Sequence, residues 1–420
     1  MIQAFYTGIG GIQAHQSAID VTSDNIANVN TVGFRSYTTE FSSLLEEATA
    51  TDALGTSVDS SVGIGTTVQA TGMDLSQGSF QTSDRATDLA ISGDGWFGVS
   101  TNDQVYYTRA GNFTFDSNND LVTPEGMFVL GTLGDNIDLQ NNLLKEELSD
   151  VALGDVTKQQ KLQLPQTLTY PPQATTKIDF FGNIGTLNEP QAISAKAIDG
   201  EGNINKVTLS FVQSKEQPEV GIRWDVKATV SSLNDEVLYS TQEGVVNFDE
   251  TGGLISNTLT TVDNNGSPIA LNLGENFSGV IAVANVPTTG SSRADGVKGG
   301  ELAGYDINQN AEIIATFSNG KQSSIAQIGV FHFVNDQGLE RISGTLFSES
   351  SNSGKALFFQ DKDGENILGA KVANHTLETS NVALENGLTE LIIYQRSYDA
   401  NAKSVTTADQ MIQKALQMDA

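Results

Sequence analysis

The sequence predicts a mixed fold in which terminal α-helices pair as a coiled coil and two mainly β, antiparallel domains are inserted between them. Three observations carry this expectation. Both chain ends hold apolar residues seven apart, the long middle holds short alternating runs between turn formers, and proline- and glycine-rich stretches divide that middle.

At the amino terminus Phe5, Ile12, Ile19 and Ile26 recur at intervals of seven, and Ile2 and Ile9 form a shorter second row. Such a repeat keeps an apolar seam turned toward a partner helix. Gly8, Gly10 and Gly11 oppose it, because each glycine costs a helix interior about 1 kcal/mol relative to alanine. The segment is therefore expected to be helical only when its seam is buried. It runs into "NVNTVGF" (28–34), where Asn28, Asn30 and Gly33 form a helix-exit turn. Asparagine closes turns on its own backbone, and glycine accepts positive φ.

The carboxyl terminus repeats the design. Leu384, Leu391, Tyr398, Val405 and Ile412 are again seven apart, flanked by Leu388, Ala402 and Leu416. Ser380 and Asn381 are candidate N-caps for this helix. Because the two ends share one repeat, each is a natural partner for the other. The expected assembly seam joins Phe5, Ile9, Ile12, Ile19 and Ile26 to those eight carboxyl-terminal residues. Two ordinary amphipathic helices on one globular core remain the competing reading.

From about residue 72 to residue 372 the texture is that of strands. Runs such as "NKVTLSFVQ", "IRWDVKATV" and "IGVFHFV" alternate in polarity and are separated by Gly, Asn, Asp and Pro clusters. Pro165, Pro171 and Pro172 suggest one boundary, and "VPTTGSSRADGVKGG" (286–300) suggests another.

Composition excludes several function classes. Fifty-one acidic against 22 basic residues give a formal charge of −29, which argues against nucleic acid and anionic membrane partners. With no cysteine, disulfides and thiolate metal sites are excluded. The first residues have neither a basic n-region nor a continuous apolar core, so a cleavable signal peptide is not expected. No stretch approaches the length and hydrophobicity of a membrane span.

No catalytic, cofactor or metal residues are expected. "GDGWFG" (93–98) fits a dinucleotide pattern literally, but a strand and hairpin turn follow it where a helix would be needed. "DSNND" (116–120) and "DKDGEN" (361–366) gather oxygen ligands without the glycine and distal glutamate of a calcium loop in register, so they read as turns. His15, His332 and His375 show no metal-ligand spacing. Nothing here supports an enzyme.

Several segments resemble the bacterial flagellar axial proteins, the family that builds rod and hook. "SDNIANVNTVGFRS" (23–36) looks like the family's amino-terminal motif, and residues 380–416, "SNVALENGLTELIIYQRSYDANAKSVTTADQMIQKAL", are similar to its carboxyl-terminal one. "ISGDGWFGVS" (91–100), "YYTRAGNFTFDSNNDLVTPEGMFVLG" (106–131) and "AQIGVFHFVNDQGLERISGTLFSESSNSG" (326–354) resemble its strand-rich segments. The long central insertion, with "GELAGYDINQNAEIIATFSNGK" (300–321), is similar to hook members of the family, not rod members.

The resemblance implies helices lining the inside of a tubular homopolymer. It implies residues 1–30 as the inner helix paired with 378–420, and 31–71 as a linker and turn segment. Residues 72–146 and 285–377 would be the two halves of an inner β domain, with 147–284 as an outer one. It implies export through the flagellar channel, and as partners the distal rod, hook cap and hook–filament junction proteins and the export apparatus. A distal rod or junction protein with the same ends is the alternative within the family. A secreted β-rich adhesin or binding module is the alternative outside it.

Overall fold

The computed structural model describes residues 2–51, 57–101 and 104–418. Helix α1 spans Ile2–Ala27 and helix α2 spans Leu384–Met418. They enclose a β-rich middle. The chain leaves α1 into a long antiparallel hairpin, β1 (Tyr37–Thr51) with β2 (Ser57–Met73), in register from Tyr37↔Met73. Residues 31–71, expected as a linker, are thus largely a strand pair whose backbone groups satisfy each other. Helix α2 starts later than residue 378, because Thr376–Glu378 is a strand paired with Phe80–Thr82.

One large sheet organises the first β unit. Its central order is Gly300–Ile307, Glu312–Phe317, Gln322–Ile328, Phe128–Leu133, Trp96–Ser100 and Val105–Thr108. Phe128–Leu133 pairs with Gln322–Ile328, so strands from either side of the central insertion close into one body. Trp96, Phe97, Phe113, Tyr170, Phe317 and Phe331 fill its core.

The second β unit has its own core. Gln191–Ile198, Ile204–Gln213, Ile222–Ser232, Leu238–Phe248 and Leu254–Asn257 form an antiparallel meander. Along it Val207, Leu209, Phe211, Trp224, Val226, Ala228 and Val230 alternate inward, as a period of two requires. A second sheet, built on Lys177–Asn183, packs over them. Pairing is antiparallel throughout most of the molecule. Ala270–Asn272 beside Lys177–Asp179, Val280–Ile281 beside Gly182–Asn183, and Leu143 beside Thr169 are parallel exceptions.

Strand pairing moves the boundaries drawn from composition. Gln160–Lys161 pairs with Leu130–Gly131, and Thr169–Tyr170 with Gly300–Glu301, so residues after 147 return to the first unit. Thr289–Ala294 lies beside Lys177–Asn183 and belongs to the second. The crossing falls at Gln173 and Val297, which exchange two backbone hydrogen bonds at 2.8 and 3.0 Å, directly after Pro171 and Pro172.

The turn-like motifs are turns. The Asp116 carboxylate accepts from the backbone N–H groups of Asn118 and Asp120, and the Asp361 carboxylate from those of Asp363 and Glu365. Within "GDGWFG", Trp96 opens a buried strand.

His332 gives the first unit an acid-sensitive position. It is buried, its Nε2 lies 2.6 Å from the Leu368 carbonyl, and its ring sits 4.2 Å from that of Phe359. Burial lowers its pKa below the usual 6.5. The Leu368 carbonyl, Asp336 and Asp94 oppose that shift, and Arg109 reinforces it. A depressed folded-state value contributes stability above the unfolded pKa and loses it as pH falls through the folded one. Wild-type protein should therefore lose more thermal stability between pH 7.5 and 5 than His332→Gln does. Equal losses in both, by near-ultraviolet circular dichroism, would refute this.

Candidate functional site: helical seam and joint

The terminal helices pack antiparallel. Gly8 lies against Asn401 and Val405, and Gly387 lies against Ile26 at the other end. A buried row of α1 is Gly8, Gly11, His15, Ala18, Thr22 and Asn25, in alternating steps of three and four; Gly8 and Gly11 lie against α2, and the His15 ring faces Tyr394 at 6.2 Å. All but the half-buried His15 are buried, Ala18 completely. Gly387, Leu391, Tyr394, Tyr398, Asn401, Val405, Ala408 and Ile412 form the corresponding row of α2, with the same alternation. Steps of three and four are the spacing of a coiled-coil seam.

The bulky residues expected in the seam are placed unevenly. Leu391, Tyr398, Val405 and Ile412 stand in the α2 row, each half-buried, and Ala402 is half-buried beside it. Phe5, Ile12, Ile19 and Ile26 are half-buried one position away from the α1 row, about 100° round the helix, and of these Ile26 lies against Gly387 of α2. Ile9 is half-buried too, while the Ile2 side chain lies outside the described residues. Leu384, Leu388 and Leu416 are 45, 45 and 68 % exposed, and the single chain does not bring them into the seam.

Small residues take the place of closest approach. A Cβ at Gly8 would lie 2.6 Å from Val405 Cγ2, and one at Gly11 would lie 2.7 Å from the Asn401 side chain. The glycines that weaken α1 in isolation are what let the two helices come together. Ranking residues by apolar size misses this. The signal was present in the phase of Gly8, Gly11, Ala18, Gly387 and Ala408.

The β1–β2 hairpin runs back along the helices. The Phe41 ring meets His15 at 5.4 Å and Tyr394 at 6.0 Å, and Thr7 lies against Gly65. Burial in this cluster lowers the His15 pKa below its usual value.

At the end of α1 the chain turns outward. Asn28 Nδ2 donates to the Asp24 carbonyl at 2.9 Å, and its Oδ1 accepts from Thr31 Oγ1 at 3.1 Å, so Asn28 closes the turn. Asn30 is exposed, and no side-chain hydrogen bond from it is seen among the described residues. Gly33 has φ +69°, and the Arg109–Ala110 backbone leaves no room for a Cβ there. Its N–H donates to the Glu378 carbonyl at 2.8 Å.

Two asparagines tie this joint. Asn25 pairs with the Tyr37 backbone through both ends of its amide, at 2.7 and 2.9 Å. Asn381, expected as a helix cap, instead accepts from Ser36 N at 2.7 Å and donates to the Asp74 and Ser76 carbonyls at 2.9 and 3.0 Å. Ser380 Oγ accepts from Val382 N at 3.3 Å, ahead of the first helical residue. A local capping motif lost here to a tertiary tie, because folding brings Ser36, Asp74 and Ser76 beside Asn381. Arg341 Nη1 reaches Asp24 Oδ2 at 2.8 Å, linking the first β unit to the last turns of α1.

Among the described residues no group of three or more His, Cys, Asp or Glu side chains is placed to hold a metal ion, and no helix is long and apolar enough to cross a membrane. The site is one of packing.

Known proteins share this plan. Residues 5–35 match the family model "Flagella basal body rod protein", 90–179 match "Flagellar hook protein FlgE/F/G D1 domain", and 373–418 match "Flagellar basal body rod FlgEFG protein C-terminal". The chain is 30 % identical to the flagellar hook protein FlgE of Borreliella burgdorferi over the full length of both. It is 28 % identical to that of Treponema pallidum, again over the full length of both. It is 27 % identical to that of Salmonella typhimurium, over 97 % of this chain and 98 % of the relative. The crystal structure of the Helicobacter pylori hook protein FlgE2 matches 71 % of this chain and all of its own, with a TM-score of 0.51 at 18 % identity, a likeness of fold.

Proposed function

The chain belongs to the flagellar hook protein family, and from that premise we propose how its parts serve a hook. It is a structural subunit that self-assembles into a flexible tubular homopolymer and transmits motor torque to the filament as a universal joint. The full-length likeness to hook proteins of three genera carries this reading, because it spans both helices and the whole β middle.

In this reading the paired helices form the inner tube. Leu384, Leu388, Ile392, Ile393, Met411 and Leu416 leave large apolar side chains of α2 exposed on the single chain, and neighbouring subunits would cover them. The unit around Trp96 is the inner wall, and residues 174–296 are the outer one. The hook reading assigns no catalytic role to any residue. Its partners are further copies of itself, then the distal rod, hook cap and junction proteins. Delivery is by the flagellar export apparatus, which puts the protein outside the cell without a cleaved leader.

Negative-stain images of the purified full-length chain should show curved tubes. Straight, short assemblies would favour a rod or junction role, and glycan binding without axial assembly would favour an adhesin. Replacing residues 174–296 by a short Gly/Ser linker should leave tube formation intact and change the curvature. Gln173 and Val297 are hydrogen-bonded neighbours, and the two hydrophobic cores share no residue, so the inner unit closes without the insertion. Soluble variant that forms no tubes would show that the outer unit is needed for assembly.

A further inference from the structure

Where the outgoing and returning chains meet the inner β unit, three charged side chains are buried together. The Glu378 side chain has no exposure, and those of Arg35 and Arg109 have 1 and 5 %. Arg35 Nη1 lies 2.8 Å from Glu378 Oε1, and Arg109 Nη1 lies 3.4 Å from Oε2. Each comes from a different part of the chain. Arg35 follows the helix-exit turn, Glu378 ends a strand ahead of α2, and Arg109 directly follows the strand Val105–Thr108 of the inner unit.

Further hydrogen bonds tie the cluster to the backbone around it. Arg35 Nη1 donates to the Ser76 carbonyl at 2.8 Å, Arg109 Nη2 to the Gly93 carbonyl at 2.8 Å, and Gly78 N to Glu378 Oε1 at 2.9 Å. Arg109 also lies over the Trp96 ring at 5.6 Å, and Trp96 donates to Asp336. Burial, then the nearby Arg35, press the Arg109 pKa down to about 10, against the pull of Glu378, so it stays charged at neutral pH. Arg35 Nη2 and Arg109 Nε are buried without partners. Two cations thus meet on one buried carboxylate, with Asp94 and Asp336 also acting on Arg109, and the cluster joins three separate segments of the chain. Desolvation offsets much of the attraction in a buried ion cluster, so it adds little net stability, and in some proteins such clusters serve to specify geometry.

We propose that the Arg35–Glu378–Arg109 triad is a weld that fixes the direction of the helical rod against the inner β unit, with Glu378 as its positioning residue. This rests on the hook reading for its purpose, since torque between the tube and its wall must cross this node. The geometry of the weld itself does not depend on that reading.

The test uses the full-length chain with Glu378→Gln, which keeps the shape and removes the charge. Amide hydrogen exchange at Gly78, bonded to the Glu378 carboxylate, and at Gly33, bonded to the Glu378 backbone carbonyl and exposed as the node loosens, should quicken roughly tenfold or more while the outer unit keeps its protection. In tubes, the spread of rod-to-wall angles among subunits should widen at unchanged melting temperature of the outer unit, a change that lost stability alone would not cause. Arg109→Gln leaves the Arg35–Glu378 pair balanced and decides the matter if Glu378→Gln does not fold. Lys206→Gln, at an exposed pair in the outer unit, is the control and should change neither quantity. Joint amides exchanging within about twofold of wild type in a folded variant, with wild-type angles in its tubes, would overturn the weld. If the wild-type chain formed no tubes, the hook reading would fall, and the exchange comparison would still decide the weld.

Discussion

Ala18→Asp should prevent tube formation at concentrations that suffice for the wild-type chain, while leaving both β units folded. Ala18 has no exposed surface and sits mid-seam between Gly11 and Asn25. An aspartate there must bury a carboxylate in a site shaped for a methyl group. Overpacking alone costs about 1–3 kcal/mol, and an unpaired buried polar group adds a penalty of roughly the same size or more. Because the substitution recurs in every subunit, and about 1.4 kcal/mol is tenfold in an equilibrium, the concentration needed for assembly should rise by about a hundredfold or beyond.

Leu391→Asp and Ile412→Asp should act in the same direction less strongly. Both residues are half-buried in the single chain, so only part of the roughly 1.5–3 kcal/mol of a fully buried side chain is lost. Gln413→Asp is the matched control. Gln413 is exposed, and among the described residues its side chain bonds to Asp409 along its own helix at 2.9 Å, so an aspartate there adds charge without touching the seam. Sedimentable polymer and monomer circular dichroism measure all four. Normal polymer from Ala18→Asp, or equal loss in the control, would reject this seam.

Gly8→Val should raise the concentration needed for assembly about tenfold, against the direction of its helix propensity. Valine is a better helix former than glycine by only a few tenths of a kcal/mol. Its Cβ, however, starts 2.6 Å from Val405 Cγ2, and Val405 is β-branched and stiff at χ1. The neighbour cannot swing aside without moving α2, so overpacking of about 1–3 kcal/mol outweighs the gain. Gln13→Val, on the exposed face of α1, introduces the same β-branched side chain without the clash, at a cost of a few tenths of a kcal/mol in helix propensity, and should assemble normally. Gly8→Ala combined with Val405→Ala should recover most of the assembly lost by Gly8→Ala alone, because the second change removes the atom in conflict. A Gly8→Val chain that assembles at the wild-type concentration would show that the helices do not pack through Gly8.

Local patterns carried a good deal of this structure. Seven-residue spacing is a property of the helix itself, so two helices and their mutual pairing were readable from Phe5 to Ile26 and from Leu391 to Ile412. Alternation along Ile204–Gln213 and Ile222–Ser232 marked strands for the same reason, since side chains of an extended backbone face opposite sides in turn. The turn was legible because an asparagine such as Asn28 closes on nearby backbone and a glycine such as Gly33 accepts positive φ, properties of the residues themselves.

What depended on distant partners was not legible. Whether a glycine weakens a helix or admits a neighbour turns on what lies across from it, and Val405 and Asn401 are nearly four hundred residues from Gly8 and Gly11. Asn381 was a cap by local rule and became a tie to Ser36, Asp74 and Ser76 once folding brought those groups within reach. The unit boundaries moved to Gln173 and Val297 because strand pairing, unlike proline content, is a relation between segments. The Arg35–Glu378–Arg109 triad left no trace in any local motif. The sequence by itself determined periods, turns and the family likeness, which are short-range or whole-chain patterns. Tertiary structure alone decided which faces meet and which charges are buried together, because those energies exist only between residues that folding makes neighbours.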